Sequence, residues 1–386
     1  MENYFFDISL IVVGSGILAW IAVRLKQPIL VGYFAAGVIF GPWGLSLINN
    51  TNLFENISHI GITLLLFLAG LVLHPNRLIR FFKIASFTTI ISSLIATVFT
   101  TLFLIIFGFG VWESLIAGLA LMFSSTVLAI KLMPTVKLHQ KRMGNICIAI
   151  LIFQDIIAVI LIMSFGLKTS QNIWSFLLFL NLKLIIAVFV IMIFEKYVLR
   201  KMMKASERYE EILLMLSLGW CLGIAILAEY IGLSYEIGAF IAGVAMANSI
   251  IAPIISELLR PMRDFFLMFF FFLLGVNFDF VIVKTIWLPT TLLALLIIFS
   301  RPFYISWLLK IMGEKKKFSL ELGFRLGQTS EFAFVIATVA LNSGRLGSDV
   351  SQLVQLVTML TMIISSYIVV FRFPTPIGVK KELKKS

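Results

Sequence analysis

What most restricts this chain is its rhythm: apolar runs of bilayer length follow one another from residue 7 to residue 371, with only short polar turns between them. A helix rising 1.5 Å per residue needs about 20 mostly apolar residues to cross ~30 Å of hydrocarbon. Such runs stand at about 7–23, 29–48, 57–73, 84–108, 113–132, 144–166, 174–195, 211–230, 234–250, 262–278, 285–308, 319–342 and 348–371, which predicts about thirteen spans. Lipid offers backbone polar groups no partner, so spanning segments of this length are helices. The expected fold class is an all-α polytopic membrane protein, and a composition 60% hydrophobic and 13% charged excludes an ordinary soluble domain. The first run has no basic stretch before it and is followed by Arg24 and Lys26, so it reads as a retained span rather than a cleaved signal. Cys147 and Cys221 lie inside apolar runs, away from any disulfide or metal-binding spacing, and read as small packing residues.

The net charge of +12 would suit a nucleic-acid partner, but its placement argues otherwise. With the N-terminus outside, the inner loops and the C-terminal tail hold 25 of the 31 Lys and Arg residues, among them Arg77, Arg80, Lys83, Arg260, Arg263, Lys315, Lys316 and Lys317. The opposite loops hold Lys168, Lys284 and Arg345, and Lys183, Arg301 and Arg325 fall within spans. That bias is the signature of cytoplasmic loops. It places the C-terminus in the cytoplasm, supports an odd number of crossings and leaves no role for nucleic acid.

The sequence also repeats itself. GYFAAGV at 32–38 returns as GAFIAGV at 238–244, LLLFLAG at 64–70 returns loosely as FFFFLLG at 269–275, and Ser124-Ser125 returns as Thr329-Ser330. The shift of 205 or 206 residues carries each span to the one seven further on. Seven is odd, so the copies cross in opposite directions, the inverted-repeat plan of secondary transporters. The predicted organisation is a transmembrane domain over 1–373, with a first repeat at about 7–166, a linker helix at about 174–195 and a second repeat at about 211–371, then a short basic tail over 374–386.

Polar residues in the apolar runs mark the candidate site. Asp155 sits near the middle of GNICIAILIFQDIIAVILIMSFG, beside Gln154, where a carboxylate costs about 2.5 to 3.5 kcal/mol to insert unless it faces protein or water. The fifth and twelfth spans are interrupted by Ser124, Ser125 and Thr126, and by Gln328, Thr329, Ser330 and Glu331. Breaks at membrane depth survive only where protein or water satisfies the backbone, and transporters aim such breaks at ions. Arg301 cannot shed its charge, so it either snorkels or neutralises Asp155, Glu331 or the broken-helix dipoles; Glu331 is expected to draw on half-helix N-termini. His59, His74 and His139 read as ordinary residues in or beside loops.

Taken in order, GYFAAGVIFGPWGL at 32–45, LLLFLAGLVLHPNRL at 64–78, SSTVLAIKLM at 124–133, LIFQDIIAVI at 151–160, RPMRDFFLMFFFFLLGVNFDF at 260–280 and GQTSEFAFVI at 327–336 resemble the monovalent cation/proton antiporter family, in its Kef-type potassium/proton branch. The resemblance covers essentially the whole chain. It implies an inverted-repeat fold with two crossed discontinuous helices, a homodimer in the cell (inner) membrane, no cofactor and no enzymatic activity. It also implies a monovalent cation and proton site at Asp155, Gln154, Ser124, Ser125 and Thr126, with Glu331 and Arg301 as supporting charges. The loop at 251–264 lacks the acidic regulatory loop of the glutathione-gated members, and no nucleotide-binding domain follows Phe371, which speaks against that gating while leaving room for a separate cytoplasmic regulatory subunit.

The expected chemistry is competition: desolvation favours a carboxyl's neutral form and an alkali cation favours its charged form, so H+ and K+ or Na+ take turns at Asp155. One titrating group implies roughly one-for-one exchange. A sodium-coupled organic solute symporter and a gated channel-like conduit are the rival readings.

Overall fold

The computed structural model describes residues 4–48, 52–71, 75–133, 142–166, 189–206, 209–230, 235–249 and 251–375. Most of the 174–195 run, Lys168, Lys183, His139 and nearly all of the 374–386 tail lie outside these residues. In chain order the helices are α1 (Tyr4–Arg24), α2 (Ile29–Phe40), α3 (Asn52–Leu71), α4 (Pro75–Ile106), α5 (Val111–Leu121), α6 (Thr126–Lys131) and α7 (Arg142–Gly166). A π-helical turn (Glu195–Leu199) leads into α8 (Arg200–Ala205), followed by α9 (Glu210–Tyr230), α10 (Tyr235–Met246), α11 (Ala252–Val276), α12 (Phe280–Ile311), α13 (Lys316–Arg325), α14 (Phe332–Asn342) and α15 (Ser348–Arg372). Among the described residues seven helices are long and apolar enough to cross a bilayer, and four shorter apolar helices accompany them.

Two expected spans are shorter than their apolar runs. The 29–48 run is helical only to Phe40, because Gly41 turns extended (ψ −173°) and Pro42 has no N–H with which to continue; the 234–250 run is helical only to Met246. At 12 residues each, α2 and α10 reach about 18 Å.

The repeat is visible in the element boundaries. Tyr4–Arg24 and Glu210–Tyr230 are each 21 residues long and start 206 apart. Ile29–Phe40 and Tyr235–Met246 are offset by 206 at both ends, Pro75–Ile106 and Phe280–Ile311 by 205, and Arg142–Gly166 and Ser348–Arg372 by 206.

The chain folds as two compact units, one of residues 1–49, 77–158 and 271–386, the other of residues 50–76 and 159–270. In the first unit α2 lies against the end of α11: a Cβ on Gly37 would stand 1.9 Å from the Phe272 carbonyl oxygen, and one on Gly275 would stand 2.1 Å from that of Phe34. In the second unit α10 lies against α3 in the same way, with Gly243 over the Phe67 carbonyl at 2.1 Å and Gly70 over that of Phe240 at 2.5 Å. These are the same four positions shifted by 205 or 206, so each copy's GxFxAGV helix packs on the other copy's LAG or LLG helix. Trp220 Nε1 donates to the Ala242 carbonyl (3.1 Å), and the Trp220 ring stacks on Phe194, fixing α9 and α10 in the second unit.

Such contacts set up a contrast between glycines. Gly243→Ala is expected to cost about 1 to 3 kcal/mol, since the methyl group must push one helix backbone off another. Gly219→Ala, where nothing lies within 4 Å, should be neutral or slightly stabilising. Thermal unfolding in detergent compares the two directly.

Candidate functional site

The site belongs wholly to the first unit and is built from two interruptions. Residues Met122–Ser125 separate α5 from α6, and Leu326–Glu331 separate α13 from α14. A helix end leaves four N–H or four C=O groups unpaired, so two breaks inside a membrane domain expose many backbone groups that need partners. Some of these partners come from one break to the other, the rest from neighbouring helices. Ser124 Oγ donates to the Leu326 carbonyl (2.8 Å), and Ser125 Oγ donates to Glu331 Oε2 (2.8 Å) while accepting from Leu128 N (3.1 Å). Gln328 Nε2 donates to the Arg325 carbonyl (3.0 Å) and reaches the Ser125 carbonyl (3.5 Å).

Arg301 completes the crossing. Its guanidinium is buried and donates to the carbonyls of Phe123 (2.9 Å), Gln328 (3.0 Å) and Leu121, with Nε toward the Tyr304 hydroxyl (3.2 Å). Of the roles open to it from sequence, the structure selects the helix dipole. Arg301 caps the carbonyl end of α5 and the second break, and its hydrogen bonds go to no carboxylate among the described residues. Glu331 also departs from expectation. It is the N-cap residue of α14, yet its side chain takes no backbone N–H; Phe332 N donates instead to Ser330 Oγ (3.2 Å), and the carboxylate accepts from the hydroxyls of Ser125 and, more loosely, Ser330 (3.5 Å).

Gln154 and Asp155 adjoin the first break from α7. The Gln154 amide oxygen, buried, accepts the Ser124 N–H (3.0 Å), so it holds the break open rather than facing free space. Asp155 is half-buried, and its one hydrogen bond among the described residues is a long one, from Thr126 Oγ1 to Oδ1 at 3.4 Å. Of the five residues expected to line a cation seat, Ser124, Ser125 and Gln154 hold the breaks together. Asp155 and Thr126 face each other with oxygen lone pairs to offer.

The last span, unmarked among the expected site residues, also reaches the second break. Thr361 Oγ1 pairs with Thr329 Oγ1 (2.6 Å) and accepts from Thr329 N (3.3 Å), and Ser365 Oγ donates to Gln328 Oε1 (3.0 Å). The signal was present: Ser351, Gln355, Thr358, Thr361 and Ser365 recur at helical spacing along α15, and all are buried. Polar side chains on one stripe of an apolar helix join it to other helices.

Two interrupted helices that meet beside a carboxylate in a multi-pass membrane protein are the arrangement that secondary transporters use. Comparison with known proteins narrows the class. Residues 10–372 match the model of the transmembrane sodium/hydrogen exchanger family, and the chain belongs to that family. The glutathione-regulated potassium-efflux system protein KefC of Escherichia coli O17:K52:H18 (strain UMN026 / ExPEC) is 31% identical over 346 residues, covering 87% of this chain and 55% of that protein. KefC of Escherichia coli O81 (strain ED1a) is 30% identical over the same shares. The chain thus spans about half the length of the curated relatives it matches. In fold it is similar to the sodium proton antiporter MjNhaP1 from Methanocaldococcus jannaschii, with a TM-score of 0.71 at 19% identity over 94% of this chain and 95% of that one.

Proposed function

We propose that this protein exchanges a monovalent cation for H+ across a membrane, with both competing for Asp155. The observation that carries the reading is the contrast in coordination: the polar side chains of both breaks have protein partners, whereas Asp155 keeps one long hydrogen bond among the described residues and partial exposure. A half-buried carboxylate with a hydroxyl beside it gives hard oxygen ligands to an alkali ion when charged. When a proton replaces the ion, the same group is neutral. If only the loaded forms move readily between the two openings, exchange is obligatory.

K+ is favoured as the cation by the printed role of the KefC relatives and Na+ by that of MjNhaP1, so both belong in the assay. Thr126 is assigned as co-ligand, and Gln154, Ser124 and Ser125 as the residues that shape its seat. Glu331 and Arg301 keep the supporting roles set out above. The family resemblance supports a homodimer in a bacterial inner membrane, the basic-residue bias supports an N-terminus outside and a C-terminus in the cytoplasm, and a separate cytoplasmic regulatory subunit fits the same reading. The matched element boundaries support two repeats at about 7–166 and 211–371.

The test is reconstitution. Proteoliposomes loaded at one pH and diluted into Na+, K+ or Rb+ at another should show cation-dependent proton movement in both directions, absent from protein-free vesicles. One carboxylate predicts roughly one cation per proton and no effect of membrane potential on the rate. Uptake of an organic solute driven by Na+ would favour the symporter instead, and currents far above carrier rates would favour a channel.

A further inference from the structure

A second guanidinium, Arg325, is as buried as Arg301 and lies outside the ion site. It ends α13, and four hydrogen bonds direct it to three segments. Nε and Nη2 donate to Glu321 Oε1 (3.2 and 2.8 Å), Nη1 donates to the Leu132 carbonyl just past α6 (2.7 Å), and Nη2 donates to the Pro374 carbonyl just past α15 (2.8 Å). The Phe373 ring lies 6.0 Å from the guanidinium, and Thr375, three residues beyond the last helix, is fully buried.

The length of α6 makes this arrangement consequential. The helix has six residues, with the Asp155 partner Thr126 at one end, so the atom that Arg325 holds lies only about 9 Å along the axis from the ion site. Fewer than two turns of helix separate Leu132 from Thr126, so a displacement at one is expected to reach the other.

We propose that Arg325 is a positioning residue that latches the segment Phe373–Thr375 to the half-helices α6 and α13, so that the hold on this segment and the occupancy of the ion site are coupled. The coupling rests on the antiport reading of Asp155; the latch itself does not. By linkage, a cation that favours one placement of Thr126 must change how tightly the segment after α15 is held. In any form of this protein in which more chain or a partner pulls on that segment, the pull is felt at Thr126.

The experiment uses Thr375→Cys in this chain with Cys147→Ala and Cys221→Ala, and maleimide labelling as the readout. Adding Arg325→Gln should speed labelling by about tenfold or more, as the segment opens locally, and Arg325→Lys should not restore protection, since a compact ammonium does not reproduce a planar fork. With Arg325 intact, saturating K+ or Na+ should change the labelling rate by about threefold or more, and Asp155→Asn should remove that dependence. An equal rate with and without the transported cation in protein that does exchange overturns the coupling even if Arg325→Gln fails to fold. Unchanged protection in Arg325→Gln overturns the latch. If exchange itself is absent, the antiport reading fails, and the latch is judged by the Arg325→Gln arm alone.

Discussion

Asp155→Asn is expected to reduce cation-dependent proton movement to the rate of protein-free vesicles while leaving a folded protein. The amide keeps the size of the carboxyl and retains an oxygen for the Thr126 hydroxyl now 3.4 Å away, so the packing of α7 against the first break has no reason to change. What the variant loses is the ability to alternate between neutral and charged forms, on which competition depends. Gln154 cannot take over, since it is uncharged and its oxygen already accepts the Ser124 N–H. Glu331 is held by the Ser125 hydroxyl behind the break. A ligand that binds only the folded state stabilises it by about 2.7 kcal/mol at one hundred times its dissociation constant. Saturating cation should therefore raise the melting temperature of the wild type and leave that of Asp155→Asn unmoved. Persistent exchange in the variant would remove the basis of the proposed function. Lost exchange with a collapsed melting curve would mean that Asp155 is structural.

The sequence showed which polar groups interrupt the apolar runs better than it showed which way they point. The lengths of the apolar runs outline the long helices because insertion penalties are large and act on every residue of a run. Two of the three repeated motifs were legible because helix-to-helix contact at Gly37, Gly70, Gly243 and Gly275 leaves no room for a side chain, so glycine recurs at all four positions. Hydrogen-bond direction was not legible. Gln154 and Asp155 are neighbours in the sequence, yet about 100° of helix rotation sends one into the break and leaves the other half-exposed. Glu331 found hydroxyls in place of backbone donors because Ser330, one residue earlier, already satisfies the Phe332 N–H. Arg325 stood out only as a charge within a span, because sequence depth does not disclose that carbonyls from two distant segments, at Leu132 and Pro374, converge on it.

Arg301→Met is expected to prevent accumulation of folded protein. The guanidinium supplies the donors for the carbonyls of Leu121, Phe123 and Gln328 in a place that lipid and packed side chains keep dry. A buried acceptor left without a donor costs about 1 to 3 kcal/mol, so three of them approach about 3 to 9 kcal/mol. Native stabilities are about 5 to 15 kcal/mol, and a loss of that size removes most of the margin. The positive charge adds to the effect, since the carbonyl end of α5 carries the negative end of a helix dipole. Arg301→Lys separates the two contributions: it keeps the charge but offers three donors from a flexible stem in place of a rigid fork. It should fold with a lowered melting temperature and transport slowly, because the crossing that holds Ser124 and Ser125 in place would be loosely tied. Equal melting temperatures for the wild type and Arg301→Met would show that the two breaks hold each other without the guanidinium.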